Sequence, residues 1–318
     1  MYFIAVLDIM AECDQDIQRG SSTELTQLVK ERQVQFKELM VYGITVLPGG
    51  KLAAVTKSTY NNHVEILDGT KLSTICDNEL YKSDLCFKSA SIFTVGSNGV
   101  MVITINGKTG VDRNKAKREI TEIVRSRHLV INDTIRTIAS RRAIKEYDFD
   151  VACAKSNQMF IMFLTTTPPQ LEIENLATGL SENVQVTNFS SQFMSTLSQP
   201  YVCADDSEGQ THVFISAMVG VGNRVVTKLN LKGEVLATLV DPDVSIPGPI
   251  AAVGEGTLLF NYGDNICLLS GNCKIVATLG SVRSELSAMC FMRTTSGLKL
   301  YCGGRDCYGD YLSEYSLK

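Results

Sequence analysis

One phrase recurs along this chain and constrains its fold more than any other feature. Residues 62–75 read NHVEILDGTKLSTI, residues 223–239 read NRVVTKLNLKGEVLATL, and residues 265–279 read NICLLSGNCKIVATL. Each begins with Asn, alternates apolar and polar residues, turns at Gly or Lys-Gly, and closes on Thr followed by Ile or Leu. Alternation with period two puts one set of side chains on one face of a sheet. A short Gly-containing turn between two such runs predicts a hairpin. A further turn-then-strand signal stands upstream of each: Pro48-Gly49-Gly50 before KLAAVT, Ser207-Glu208-Gly209 before HVFISA, and Gly254-Glu255-Gly256 before TLLFNY. Thr295-Ser296-Gly297 precedes LKLYCGG near the C-terminus, and weaker copies lie at 89–106 and 156–175.

The pattern predicts six units between residue 42 and the C-terminus, about 46 residues each, the spacing of four-stranded blades in a β-propeller. One such blade is apolar on both faces and cannot stand alone, so its neighbours must cover it, and closing the ring removes the last exposed faces. The repeated runs are rich in Val, Ile, Thr and aromatic residues, which disfavours an all-helical repeat. The chain has no Trp, which argues against blades of the Trp-Asp type. The expectation is therefore an all-β, six-bladed propeller over 42–318, preceded by a short helical or linker segment over 1–41.

Residues 21–40 carry the helix signal. Ser21 and Glu24 form a capping-box pattern, and Leu25, Leu28, Val29, Phe36 and Leu39 fall near one face at helical spacing. Such a helix reads either as the tail of a coiled coil, through which the chain would oligomerise, or as a helix packed on the side of the ring. As a further alternative, Phe36–Tyr42 would supply the outer strand of the last blade.

The Asn-led hairpins resemble the NHL repeat. Asn62-His63-Val64 with Asp68-Gly69, and Asn223-Arg224-Val225 with Lys232-Gly233, match it best, and Asp205 to Gly209 fits the acidic turn before the next strand. The layout over 42–318 is similar to the C-terminal propeller of tripartite-motif proteins of the NHL type. That resemblance implies a non-enzymatic target-recognition module linked to ubiquitin ligation. A RING or B-box is not visible ahead of the propeller, and Cys13 alone cannot build one.

Charge is distributed unevenly. The chain carries 30 Lys+Arg against 34 Asp+Glu, a net charge of −4, yet residues 107–147 hold eleven Lys or Arg against five acids. This stretch is where a phosphate-rich partner is expected, and Arg118, Arg125, Arg127, Arg136, Arg141, Arg142 and Lys145 are the candidate binding residues for RNA. Only Tyr147 stands at its edge for base stacking. An edge strand bearing cations against sheet-to-sheet association explains the same charges, as does an acidic protein partner.

No G-x-S-x-G elbow, P-loop or H-E-x-x-H occurs. Gly220-Val221-Gly222 lacks a third glycine and reads as a turn. His63, His128 and His212 sit singly, and Asp205 and Asp206, adjacent on a strand-turn, read as turn stabilisers. None of the 10 Cys forms a C-x-x-C pair, so they read as free thiols packed as small hydrophobes in a reducing cytoplasm. The sequence thus assigns no catalytic residue, no metal ligand and no cofactor. A metal-dependent, lactonase-like hydrolase is the alternative of another class, since such sites assemble from distant blades. Apolar Met1–Met10 is broken by Asp8 and does not read as a secretory signal, and no run of 18 apolar residues predicts a membrane span. A protein partner is expected first, RNA second.

Overall fold

The structure is a computed structural model that describes residues 27–36, 40–57, 62–68, 71–75, 86–95, 100–109, 122–131, 134–143, 151–156, 159–166, 168–175, 178–187, 198–206, 209–219, 223–241, 248–282, 285–295 and 297–317. Apart from a single 3-10 turn at Pro48–Gly50, the regular elements are strands, and no α-helix occurs among the described residues. Among them, too, no helix is long and apolar enough to cross a membrane.

Strand β1 (Leu28–Phe36) comes first. The next twenty strands form five blades of four consecutive antiparallel strands. Blade one is β2 (Met40–Val46), β3 (Leu52–Lys57), β4 (Asn62–Asp68) and β5 (Lys71–Ile75). Blade two is β6 (Cys86–Val95), β7 (Val100–Thr109), β8 (Glu122–Ile131) and β9 (Thr134–Ala143). Blade three is β10 (Val151–Lys155), β11 (Met159–Leu164), β12 (Gln170–Asn175) and β13 (Ser181–Gln185). Blade four is β14 (Ser198–Asp205), β15 (His212–Val219), β16 (Asn223–Asn230) and β17 (Val235–Asp241). Blade five is β18 (Ile250–Gly254), β19 (Thr257–Tyr262), β20 (Asn265–Ser270) and β21 (Ile275–Ser281). The C-terminal strands β22 (Glu285–Thr294), β23 (Gly297–Asp306) and β24 (Gly309–Leu317) make a composite sheet whose outer strand is β1, in the order β1-β24-β23-β22. Inner strands pack in chain order from β2 to β6, β10, β14, β18 and β22, and β2 packs back on β22.

This corrects the sequence expectation of a six-bladed propeller led by a short helix. Five blades are contiguous in the chain, and the sheet that closes the ring takes three strands from one end and one from the other. Leu28–Phe36 is a strand, so the helix and coiled coil expected over 21–40 fail there. The outer strand proposed for 36–42 is displaced too, because Met40–Val46 is the inner strand of blade one.

β1 hides its strand alternation because it is bulged. Its register with β24 shifts between Lys30 and Arg32: Leu28 faces Leu317, whereas Arg32 faces Glu314 and Val34 faces Leu312. One extra residue reverses which face the following side chains take. Leu28 consequently packs with Leu317 and Tyr315 in the core beside blade five, while Val34 joins Val41, Ile44, Tyr301 and Leu312 beside blade one. An uninterrupted strand would send both to the same side. The chain thus uses one strand to cover parts of two seams.

The blades are held by apolar faces. Ile161, Phe163 and Leu171 of blade three meet Val213, Ile215 and Val225 of blade four, and Phe214 and Val226 on the other face meet Leu258, Phe260 and Leu269 of blade five. Fully burying an aliphatic or aromatic side chain of this kind contributes about 1.5–3 kcal/mol. Glycines sit where backbones approach most closely. A Cβ on Gly303 would come 2.6 Å from Val41 Cγ1, and one on Gly280 2.9 Å from Leu28 Cβ.

Candidate functional site

Of the seven residues nominated for RNA, five lie on the two outer strands of blade two. Arg125 and Arg127 are on β8; Arg136, Arg141 and Arg142 are on β9, the outermost strand. Arg118 and Lys145 lie outside the described residues. The backbone register makes Arg125 and Arg141 Cα partners, with Arg142 opposite Val124, Arg127 opposite Ala139 and Arg136 opposite Leu129. Like charges at directly opposed positions disfavour a sheet unless an anion neutralises them. Of the three histidines, His63 is on β4 and His128 on β8, while His212 starts β15 and is buried. The Gly220–Gly222 turn lies outside the described residues.

The buried acids lie in blades one and four and in the closing sheet, and each has a partner. Asp205, buried at the end of β14, accepts the backbone N–H of Gly256 from blade five through Oδ2 at 3.1 Å. Its neighbour Asp206 points the other way and accepts from the Thr211 hydroxyl at 2.7 Å. The pair therefore acts as two turn stabilisers, as expected for adjacent residues on an extended chain. Glu65 on β4 accepts from Thr74 Oγ1 at 2.8 Å. Glu314 on β24 takes both Arg32 and Lys299. Burial pushes the Glu314 carboxyl up, but the hydrogen bonds and charges of Lys299 and Arg32 outweigh it and hold the group below its ordinary range.

The cysteines described with side chains are free; Cys153, Cys203, Cys267, Cys273 and Cys302 are buried, and Cys307 is exposed. Burial pushes Cys290 up to about 12 and Cys273 up to about 11, and raises Cys203 and Cys302 as well. A thiol rather than a thiolate is a poor nucleophile, so these four serve as packing. Among the described residues no three His, Cys, Asp or Glu side chains converge as a metal site.

What the sheets place at the surface is large apolar side chains and turns. Leu236 and Val240 of β17 and Ile275 and Val276 of β21 face water on the outer strands, and Leu180, Met40 and Tyr308 stand at strand ends and turns. Periodicity could not single these out, because an outer strand and an inner one share the same alternation.

No family model and no curated protein matches the chain. Solved structures do match. A catalytically inactive virginiamycin B lyase from Staphylococcus aureus, solved with quinupristin, aligns over 92% of this chain and 99% of its own at 13% identity, with a TM-score of 0.54. The WD40 β-propeller domain of Doa1 aligns over 92% and 97% at 8% identity, TM-score 0.50. Raptor from Chaetomium thermophilum aligns over 92% of this chain and 29% of its own at 10% identity, TM-score 0.54. At these identities the likeness establishes a β-propeller fold, and the assignment to the NHL and tripartite-motif family rests on the sequence resemblance alone.

Proposed function

We propose that this propeller is a non-catalytic recognition module that binds a protein partner. The observation that carries this reading is the use made of the buried ionisable groups: Asp205, Glu65 and Glu314 each tie strands or blades together. Among the described residues, the groups left to engage other molecules are the turns and outer strands, where function on a rigid fold resides. On the NHL-like hairpins led by Asn62 and Asn223, the partner is a target selected for ubiquitin ligation. Affinity capture with the whole chain tests this. A discrete protein retained at about 0.5 M salt, where charges are screened beyond a few ångströms, and ubiquitylated when ligase subunits are added supports it. Capture that vanishes with salt counts against it.

The paired register of Arg125 and Arg141 favours a second reading, RNA along the outer strands of blade two. Charge reversal at Arg141 and Arg142 should then weaken RNA binding and flatten its salt dependence. Unchanged affinity and slope would exclude that route.

A further inference from the structure

The turn between β23 and β24 stands out from the rest of the surface. Tyr308 is 86% exposed, the most exposed large hydrophobic residue described. An aromatic ring in water is ordinarily tolerated on a mobile tip, but this one stands on a built turn. Asp306 Oδ1 accepts the Tyr308 backbone N–H at 2.8 Å, and the Gln33 and Gln35 side-chain amides of β1 donate to Asp306 at 3.0 and 3.1 Å. On the other side of the turn, Arg305 pairs with buried Asp310 at 3.2 Å. The ring-closing strand therefore fixes the turn that presents Tyr308.

A second exposed apolar residue, Met40, starts from the same end of the ring, as the backbone shows. Phe36, the last residue of β1, is the register partner of Asp310 beside the turn. Met40 begins β2 four residues later, so its Cα lies within about 15 Å of that of Phe36, and Met40 is 43% exposed. Of the other exposed apolar residues, Leu236, Val240, Ile275 and Val276 lie along outer strands, and Leu180, an aliphatic side chain, follows a turn in which Asn175 Oδ1 accepts the Thr178 N–H at 3.0 Å.

Resting on the recognition reading above, we propose that the Asp306–Gly309 turn and Met40 form the docking surface for a protein partner whose apolar cleft is rimmed by Lys or Arg. Rigid aromatic anchors bind at low entropic cost and are enriched among residues that dominate interface energies. Charge selects the rim. The donors to Asp306 are neutral amides, so among the described residues its negative charge is uncompensated. Desolvation raises its carboxyl, and the amides of Tyr308, Gln33, Gln35 and Gly309 together outweigh this and hold it below its usual range. A carboxylate beside the ring repels phosphates, which favours a protein over RNA at this site.

The test places a photo-crosslinking phenylalanine analogue at position 308 of the full chain, and in parallel at positions 180 and 236, in extract of the cells that make the protein. The expected result is a protein adduct at 308 that a tenfold excess of unlabelled wild-type chain suppresses at least fivefold. Tyr308→Phe should compete equally well, and Tyr308→Ser or Met40→Ser less than twofold. Unchanged thermal unfolding of the serine variants confirms that the fold survives. Equal competition by Tyr308→Ser overturns the proposal, as does an adduct removed by ribonuclease. A competable protein adduct at 180 or 236 but not at 308 overturns this surface and leaves the recognition reading standing. No competable adduct at any position overturns both.

Discussion

Arg32 Nε donates to Glu314 Oε2, joining the first described strand of the chain to the last. Lys299 donates to the other oxygen of the same carboxylate, so one buried acid at the closure of the ring is held by two cations. Glu314 is buried, whereas Arg32 and Lys299 remain about one-third exposed. Removing one cation leaves the other in place. Arg32→Met should therefore cost about 1.5–3 kcal/mol, the range for a hydrogen bond to a charged group. The check is a lower urea midpoint at unchanged slope.

The same carboxylate gives a pH dependence with a definite sign. Its pKa in the folded chain lies below the ordinary value. Its stabilising contribution is thus fully present above the unfolded carboxylate value of about 4.3 and is lost as pH falls through the lower folded value. The stability gap between wild type and Glu314→Gln should be constant from neutral pH to about 5 and should close progressively below about 4. A gap that widens in acid would show that the folded carboxyl titrates above its ordinary value instead.

Gly233 occupies the corner where blade four meets blade three. Its φ is +78°, its carbonyl accepts the Thr187 N–H at 2.8 Å, and an added Cβ would lie 2.4 Å from the Gln185 carbonyl oxygen. Both the left-handed backbone and the backbone contact oppose a side chain. Gly233→Ala should destabilise by about 2–4 kcal/mol. Gly209, with φ +72° and nothing within 4 Å of a built Cβ, isolates the backbone term; Gly209→Ala should cost about 1 kcal/mol. Equal effects in thermal or urea unfolding would remove the seam contact from the explanation.

Thr227 is fully buried on β16, opposite Ile215, with Val225 and Leu229 two residues to either side, and its hydroxyl has no hydrogen-bond partner among the described residues. Valine has the same shape without the polar group whose desolvation is uncompensated. Thr227→Val should therefore stabilise the chain by about 1 kcal/mol, measured by the urea midpoint. A loss of stability would reveal that the hydroxyl is satisfied.

How far the sequence reveals this fold follows from which interactions are local. The hairpins led by Asn62, Asn223 and Asn265 were legible because a strand, its turn and its partner are adjacent in the chain, and each lies in one blade. The composite sheet was not, because β1 pairs with β24 nearly three hundred residues away. The bulge between Lys30 and Arg32 moreover breaks the alternation that would mark β1 as a strand, sending Leu28 and Val34 to opposite sides. The surface was least legible of all. Tyr308 is one of 11 Tyr residues, and only the hydrogen bonds from Gln33 and Gln35 show that its turn is built.

The strand β1 also shields an edge. It covers the outer side of β24, and without it β24 would present unpaired N–H and C=O groups flanked by Leu312, Tyr315 and Leu317, the arrangement that templates pairing with another chain. A chain beginning at Met40 should fold its five contiguous blades yet associate in a concentration-dependent way, seen by light scattering or sedimentation. A synthetic peptide spanning Leu28–Phe36 should restore the sedimentation behaviour of the full chain, because its register with β24 is fixed by the bulge and by Arg32 meeting Glu314. The same peptide with Arg32 and Val34 replaced by Gly should not. If the shortened chain sediments as the full one does, or if both peptides act alike, pairing with β24 is not what keeps that edge closed.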